Sequence, residues 1–287
     1  MSYIDCHVHS MGDETFELML EWMDREKLNK HLLFSKHPFM SDIDLSKKKL
    51  TGLNTLVSDK EFEKNMAAVG EAAAKSKGRI VPFLWIEPTM KNTIKFIETA
   101  VKDYGYKGIK IIPNGWYPGE ERFEPVYDKI AEMGLPILFH TGALWSFGET
   151  SKYCRPLNFE FMMKYPGTRF AMAHIGWPWI DECVAVALKF IELRENFPGG
   201  DKLQCYVDIT PGTPPFYREY ALKACLDVLG PACLMFGTDS RTSTKVISVS
   251  KPSEKYENDK KILTKLGCSQ ENQDKIFHKN FLEFVGE

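Results

Sequence analysis

Short apolar runs alternate with amphipathic stretches along nearly the whole chain. Runs at Tyr3–Val8, Lys30–Phe34, Arg79–Ile86, Gly108–Ile112, Pro136–His140, Arg169–His174, Leu203–Ile209 and Leu234–Gly237 are rich in β-branched and aromatic residues. They are apolar on both faces, the pattern of parallel strands covered on two sides. The segments between them carry the helical period. Phe16, Met19, Leu20 and Met23 share one face, as do Phe62, Met66, Val69 and Ala73, and again Leu222, Cys225, Leu226 and Leu229. Ser58 with Glu61 three residues later predicts a capping box, and Gly134 ahead of Leu135-Pro136 predicts a helix stop.

Eight strands interleaved with helices predict a closed parallel (β/α)8 barrel, a TIM barrel, as one domain spanning 1–287. An open doubly wound sheet is the competing architecture, but no GxGxxG follows any strand, which removes its commonest dinucleotide-binding form. Two connections are long, 36–57 and 240–255, and both follow strands whose far ends lie at the catalytic face of such a barrel. The first lacks clear periodicity.

Composition narrows the class. A chain of 287 residues can bury most of its apolar surface without staples. Its seven cysteines form no CxxC, and several sit inside apolar runs, which predicts a reduced, cytoplasmic protein without a disulfide framework. The formal net charge is −2 and the one basic run, Lys47-Lys48-Lys49, follows two aspartates and reads as a solvated loop, so no nucleic-acid partner is expected. No basic segment followed by an apolar stretch opens the chain, and no run approaches the 18 or so apolar residues of a membrane span. The expected partner is a small-molecule substrate; a homo-oligomer is compatible with the sequence.

The chemistry gathers where strands stop. Asp5-Cys6-His7-Val8-His9 places two imidazoles on one side of the first strand, because strand side chains alternate. His140 ends the fifth strand, His174 the sixth, and Asp239 the eighth. Barrel strand ends converge on one mouth, so residues remote in sequence become neighbours there. Imidazole nitrogens with one carboxylate suit Zn2+, and also Fe2+ or Mn2+.

The DxHxH start, Lys-Gly-Ile-Lys-Ile-Ile-Pro (107–113), Pro-Ile-Leu-Phe-His-Thr-Gly (136–142), Ala-His-Ile-Gly-Trp-Pro-Trp (173–179) and Gly-Thr-Asp-Ser (237–240) resemble the amidohydrolase-related family. That family includes aminocarboxymuconate semialdehyde decarboxylase and the resorcylate decarboxylases, and the resemblance runs from Tyr3 to Asn280-Phe281. It implies one catalytic divalent ion, expected as zinc, held by His7, His9, His140 and Asp239. His174 would be the catalytic or orienting histidine. Asp239 would both touch the ion and serve as general base, and His174 would bond the same water or the developing oxyanion. Asp5, placed on the face of His7 and His9 by alternation, would support them.

The resemblance carries both hydrolases and decarboxylases. Hydrolysis of an amide, ester or lactone is the leading expectation, decarboxylation of an unsaturated or aromatic acid the alternative, and a non-enzymatic metal-binding protein the third. Lys110 ends strand four, where binuclear relatives carry a carbamylated lysine between two metals; a substrate-contacting or buried ion-pair role is the preferred expectation. Trp85, Trp116, Trp145, Trp177 and Trp179 lie at predicted strand ends and read either as rim packing or as an aromatic substrate wall. Arg155 and Arg241 are candidates for a substrate carboxylate. His31 and His278 read as packing, and His37 sits in the long loop.

Overall fold

The computed structural model describes residues 2–40, 42–44, 49–51, 55–144 and 150–287. Nine parallel strands make one curled sheet. They are β1 (Tyr3–His9), β2 (Leu28–Phe34), β5 (Ile80–Ile86), β6 (Gly108–Ile111), β7 (Ile137–Phe139), β8 (Arg169–Met172), β9 (Gln204–Asp208), β10 (Leu234–Met235) and β11 (Ser240–Arg241). The remaining two, β3 (Asp42–Asp44) and β4 (Lys49–Thr51), form a separate antiparallel ribbon.

The order across the large sheet is β10-β9-β8-β7-β6-β5-β2-β1-β11. Its two outermost strands belong to one stretch of chain, 234–241. β10 pairs with β9, and β11 pairs with β1 through Val8↔Ser240 and His9↔Arg241. Between them the Cys6 amide donates to the Phe236 carbonyl at 2.9 Å. The eighth barrel strand is therefore a broken one whose halves serve opposite neighbours, and the sheet closes into the expected barrel.

Helices wrap the outside: α1 (Phe16–Arg25), α2 (Asp59–Lys75), α3 (Thr93–Tyr104), α4 (Glu124–Glu132), α5 (Ile180–Asn196), α6 (Pro215–Leu229) and α7 (Pro252–Lys265). Ser58 caps α2 by accepting from the Glu61 amide, and Gly134 follows α4 at φ +64, as the sequence predicts. After β7 the helix position is filled instead by 3-10 turns at Ser151–Cys154 and Pro156–Lys164. Two buried layers result. One lies between strands and helices and includes Tyr3, Val8, Trp22, Met66, Ile109 and Phe139. The other fills the barrel with Ile4, Cys6, Phe34, Phe83, Trp85, Leu138, Ala171 and Met235.

The connection 36–57 holds more order than its sequence suggests. Besides the ribbon, Phe39 bridges Leu56, the Met40 amide donates to Thr55 at 2.7 Å, and the Val57 amide donates to Pro38 at 2.9 Å. Strands of three residues are too short to show an alternation, so periodicity misses them. Residues 41, 45–48 and 52–54 of this connection, and Trp145, lie outside the described residues. No helix among the described residues is long and apolar enough to cross a membrane.

Gly237 occupies the break in the eighth strand. A Cβ there would come within 2.3 Å of Thr210 Oγ1 and 2.8 Å of His7 Cβ. Gly237→Ala is expected to cost about 1–3 kcal/mol, the usual penalty of overpacking. Urea denaturation checks this, and an unchanged midpoint with unchanged slope would refute the close packing of the seam.

Candidate metal centre

Simple alternation along β1 would set Asp5, His7 and His9 on one face and Ile4, Cys6 and Val8 on the other. The chain does something different. β1 pairs with β2 as Asp5↔His31 and then as Val8↔Leu33, so one extra residue is fitted into β1 between them. This bulge changes the phase of the strand. Ile4 and Cys6 join the barrel interior while Val8 joins the helix-facing layer, and His7 and His9 both reach the mouth. Asp5 lies before the bulge and turns to the neighbouring strand. Its carboxylate accepts from the His7 amide at 3.0 Å, from the Thr238 amide at 2.9 Å, and from the Thr238 hydroxyl. It ties the first strand to the last, and burial pushes it up to about 7 against those hydrogen bonds.

One donor atom each from His7, His9 and Asp239 lie within 4.8 Å of one another. His7 Nε2 is 3.1 Å from His9 Nε2, and Asp239 Oδ1 is 3.0 Å from His9 Nε2 and 3.8 Å from His7 Nε2. On its other side, His7 Nδ1 sits 2.6 Å from Asp208 Oδ2. With its proton on Nδ1 facing that carboxylate, the neutral ring presents a lone pair at Nε2. Asp208, fully buried at the end of β9, is itself held by the Thr210 amide at 2.8 Å and by the Thr210 hydroxyl.

His140 and His174 extend the group. The His174 ring lies 4.9 Å from His7 and 4.9 Å from His140, centroid to centroid, so His174 stands between them. His140 falls outside the tight group of three. Both rings carry a buried nitrogen without a hydrogen-bond partner among the described residues, His140 Nε2 and His174 Nδ1. The backbone is unusual here. His174, Ile175 and Asp239 have φ of 61°, 50° and 55°, in the left-handed region that disfavours side chains. Strand β8 ends at Met172, short of the sequence-predicted His174, because His174 turns out of the ladder.

Burial sets the electrostatics. It drives His7 and His140 well below the ordinary imidazole range, and the charges of Lys110 and His174 add to it. His9 is lowered by burial too, with Asp239 opposing. Burial works to raise Asp239, but the hydrogen bond from His9 and the charges of His9, His7 and His174 outweigh it and hold the carboxyl well below its usual range. The imidazoles thus hold protons poorly, and the carboxyl beside them gives up its proton readily. Converging lone pairs with so few protons between them, beside orphaned ring nitrogens, fit a divalent cation held by nitrogen and carboxylate oxygen.

Other candidates fall in different places. Lys110 is fully buried inside the barrel, its Nζ 4.8 Å from the Phe34 ring centroid. Burial pulls it down to about 8, with Asp208 and Asp239 opposing. Trp85 lies 5.4 Å from the His9 ring and 5.8 Å from His37, which joins both to the mouth. Trp116 instead packs on Phe123, Trp177 lies tilted toward Tyr217, and Trp179 lies under Arg155. Arg155 is tied to Glu182 at the surface, whereas Arg241 is exposed and pairs through β11 with His9. His31 packs on Trp22 and His278 bonds the Ser2 carbonyl, both away from the site. Asp208 is the residue sequence reasoning passed over, although it too is a carboxylate at a strand end.

The family model described as Amidohydrolase matches residues 4–286. No curated protein matches the chain. Among solved structures, an uncharacterised TIM-barrel protein from Bordetella bronchiseptica aligns with a TM-score of 0.68 at 17% identity, covering 100% of both chains. A probable 2-pyrone-4,6-dicarboxylic acid hydrolase from Acinetobacter baumannii, with citric acid bound, aligns at 0.65 and 13% identity over 100% of both. The 5-carboxyvanillate decarboxylase from Novosphingobium aromaticivorans, complexed with manganese and 4-hydroxy-3-methoxy-5-nitrobenzoic acid, aligns at 0.64 and 18%, covering 94% of this chain and 79% of the other. At such identities these likenesses establish the barrel.

Asp208 gives the first test of the centre. Removing a carboxylate that orients a ligating histidine costs about tenfold to a hundredfold in metal affinity. Asp208→Ala is expected to weaken zinc binding by that factor, measured by competition with a chromogenic chelator. Affinity equal to wild type would show that the His7–Asp208 bond does not prepare the site.

Proposed function

We propose that this chain, which belongs to the amidohydrolase family, is a metal-dependent hydrolase acting on an amide, ester or lactone of a small molecule. The ion would be held by His7, His9, His140 and Asp239, with zinc the best match to the donors and manganese or iron compatible. The observation that carries the reading is the convergence of Asp239 on the β1 imidazoles, its Oδ1 lying 3.0 Å from His9 Nε2 and 3.8 Å from His7 Nε2. A divalent ion in this position supplies Lewis acidity, polarising a carbonyl and making a nearby water easier to deprotonate.

The protein's own residues do the remainder. Asp239, ionised at neutral pH, accepts the proton of the attacking water as general base. His174 turns a buried ring toward the same space and bonds the water or the oxygen that gains negative charge. It is positioned by Gly212, where a Cβ would come 2.7 Å from His174 Cβ. Phe34 and Trp85 border the imidazoles with apolar surface, which excludes water from the reacting groups.

Decarboxylation of an unsaturated or aromatic acid is the second reading, favoured by the fold likeness to the 5-carboxyvanillate decarboxylase. Against it stands the arginine count at the mouth. Arg155 is engaged with Glu182, so of the two arginine candidates Arg241 alone lies there.

Three variants separate the roles. His7→Ala should release the ion. His174→Ala and Asp239→Asn should each lower turnover by about a hundredfold to ten-thousandfold, with His174→Ala still metal-loaded. The assays are metal content by elemental analysis and rates on a panel of lactones and activated esters. A His174→Ala protein as empty as His7→Ala would replace the single-ion assignment with a binuclear one. Carbon dioxide released from aromatic acids, with no hydrolysis, would move the protein to the second reading.

A further inference from the structure

We propose that Lys110 Nζ forms an anion subsite inside the metal centre, taking a carboxylate of the bound molecule or the oxyanion that develops on it. This rests on the proposed metal-dependent reading and adds a residue and a substrate property to it.

The ammonium is fully buried, and none of its three donors finds a hydrogen-bond partner among the described residues. An unpaired charge in a protein interior is costly enough that it is normally paired with something. Its Nζ lies over the face of Phe34, 4.8 Å from the ring centroid. Phe34 also touches the site, with its ring 4.8 Å from His7 and 5.0 Å from His9. With that shared neighbour, the Lys110 charge acts on His7, His9 and His140, which puts Nζ in the surroundings of the imidazoles.

The acidic groups near Lys110 are already in use. Asp208 is bonded to His7 and to Thr210, and Asp239 to His9. Bringing a divalent cation into the same space leaves the site with an excess of positive charge. A cation pair of this kind is stable when an anionic oxygen lies between the two, bonded to the ammonium on one side. Register supports the placement: Lys110 is opposite Trp85 on β5 and Leu138 on β7, so its side chain emerges between the Trp85 wall and the strand that ends in His140. The ligand class is therefore a carboxylate-bearing or oxyanion-forming molecule, and Lys110 is the specificity-determining residue for that charge.

The test uses zinc-loaded full-length protein and benzoate, a flat carboxylate matched to the ring walls, titrated by isothermal calorimetry. Lys110→Met keeps length and apolar packing but removes the charge. The Kd for benzoate is expected to rise about tenfold to a hundredfold, the value of one hydrogen bond to a charged group, with zinc stoichiometry unchanged. Lys110→Arg, which keeps the charge, should recover part of the loss. Benzoate affinity unchanged in Lys110→Met overturns the subsite. So does loss of zinc from Lys110→Met, or a carbamate signal in 13C NMR with labelled bicarbonate that Lys110→Met abolishes; either would make Lys110 a metal-holding group. Failure of wild type to bind zinc defeats the proposed reaction, whereas the benzoate titration of the metal-free protein still tests Lys110.

Discussion

Strand ends can meet at a single point only when a sheet closes on itself, and here closure depends on the joint between the broken eighth strand and β1. Asp5 reaches across that joint to Thr238, the Cys6 amide reaches the Phe236 carbonyl, and β11 pairs with the end of β1. Asp239 sits between these ties and Ser240. Its meeting with His7 and His9 is thus a property of the seam, and the approach of Gly237 to His7 leaves that seam no slack. The deeper half of the site depends on it at one remove, since Asp208 can hold His7 only where the bulge in β1 has turned His7 toward the interior.

Removal from water is the second determinant. Burial lowers the imidazoles while Asp239 opposes that shift, and contact with the imidazoles outweighs the burial that would raise Asp239. Low effective dielectric strengthens each such contact and also raises the cost of every unpaired charge. A centre built this way is matched to a cation above all, and the lysine inside the barrel sets a condition on what accompanies that cation.

Much of this was legible in the sequence. The (β/α)8 barrel and the family followed from runs apolar on both faces and from the strand-end motifs. His7, His9 and Asp239 are drawn together as the HxH and Gly-Thr-Asp-Ser patterns suggest, with His174 and His140 adjoining. What escaped was non-local. The bulge in β1 is set by pairing with β2, and alternation alone therefore put Asp5 on the wrong face. The ribbon at 42–44 and 49–51 is too short for any period. Asp208 was hidden because an acidic residue closing an apolar run resembles any strand end; Asp208-Ile209-Thr210, with its hydroxyl two residues on, was the available signal.

The left-handed backbone at His174, Ile175 and Asp239 has a consequence for how this chain can change over generations. Such conformations cost about 1–3 kcal/mol at a residue with a Cβ, and glycine escapes the penalty. Yet glycine has neither the imidazole nor the carboxylate. Drift or laboratory selection for heat resistance alone therefore runs downhill toward sequences that keep the barrel and discard its chemistry. A lineage that retains His174 and Asp239 keeps those side chains against the cost of their backbone, so their retention measures what the side chains themselves contribute.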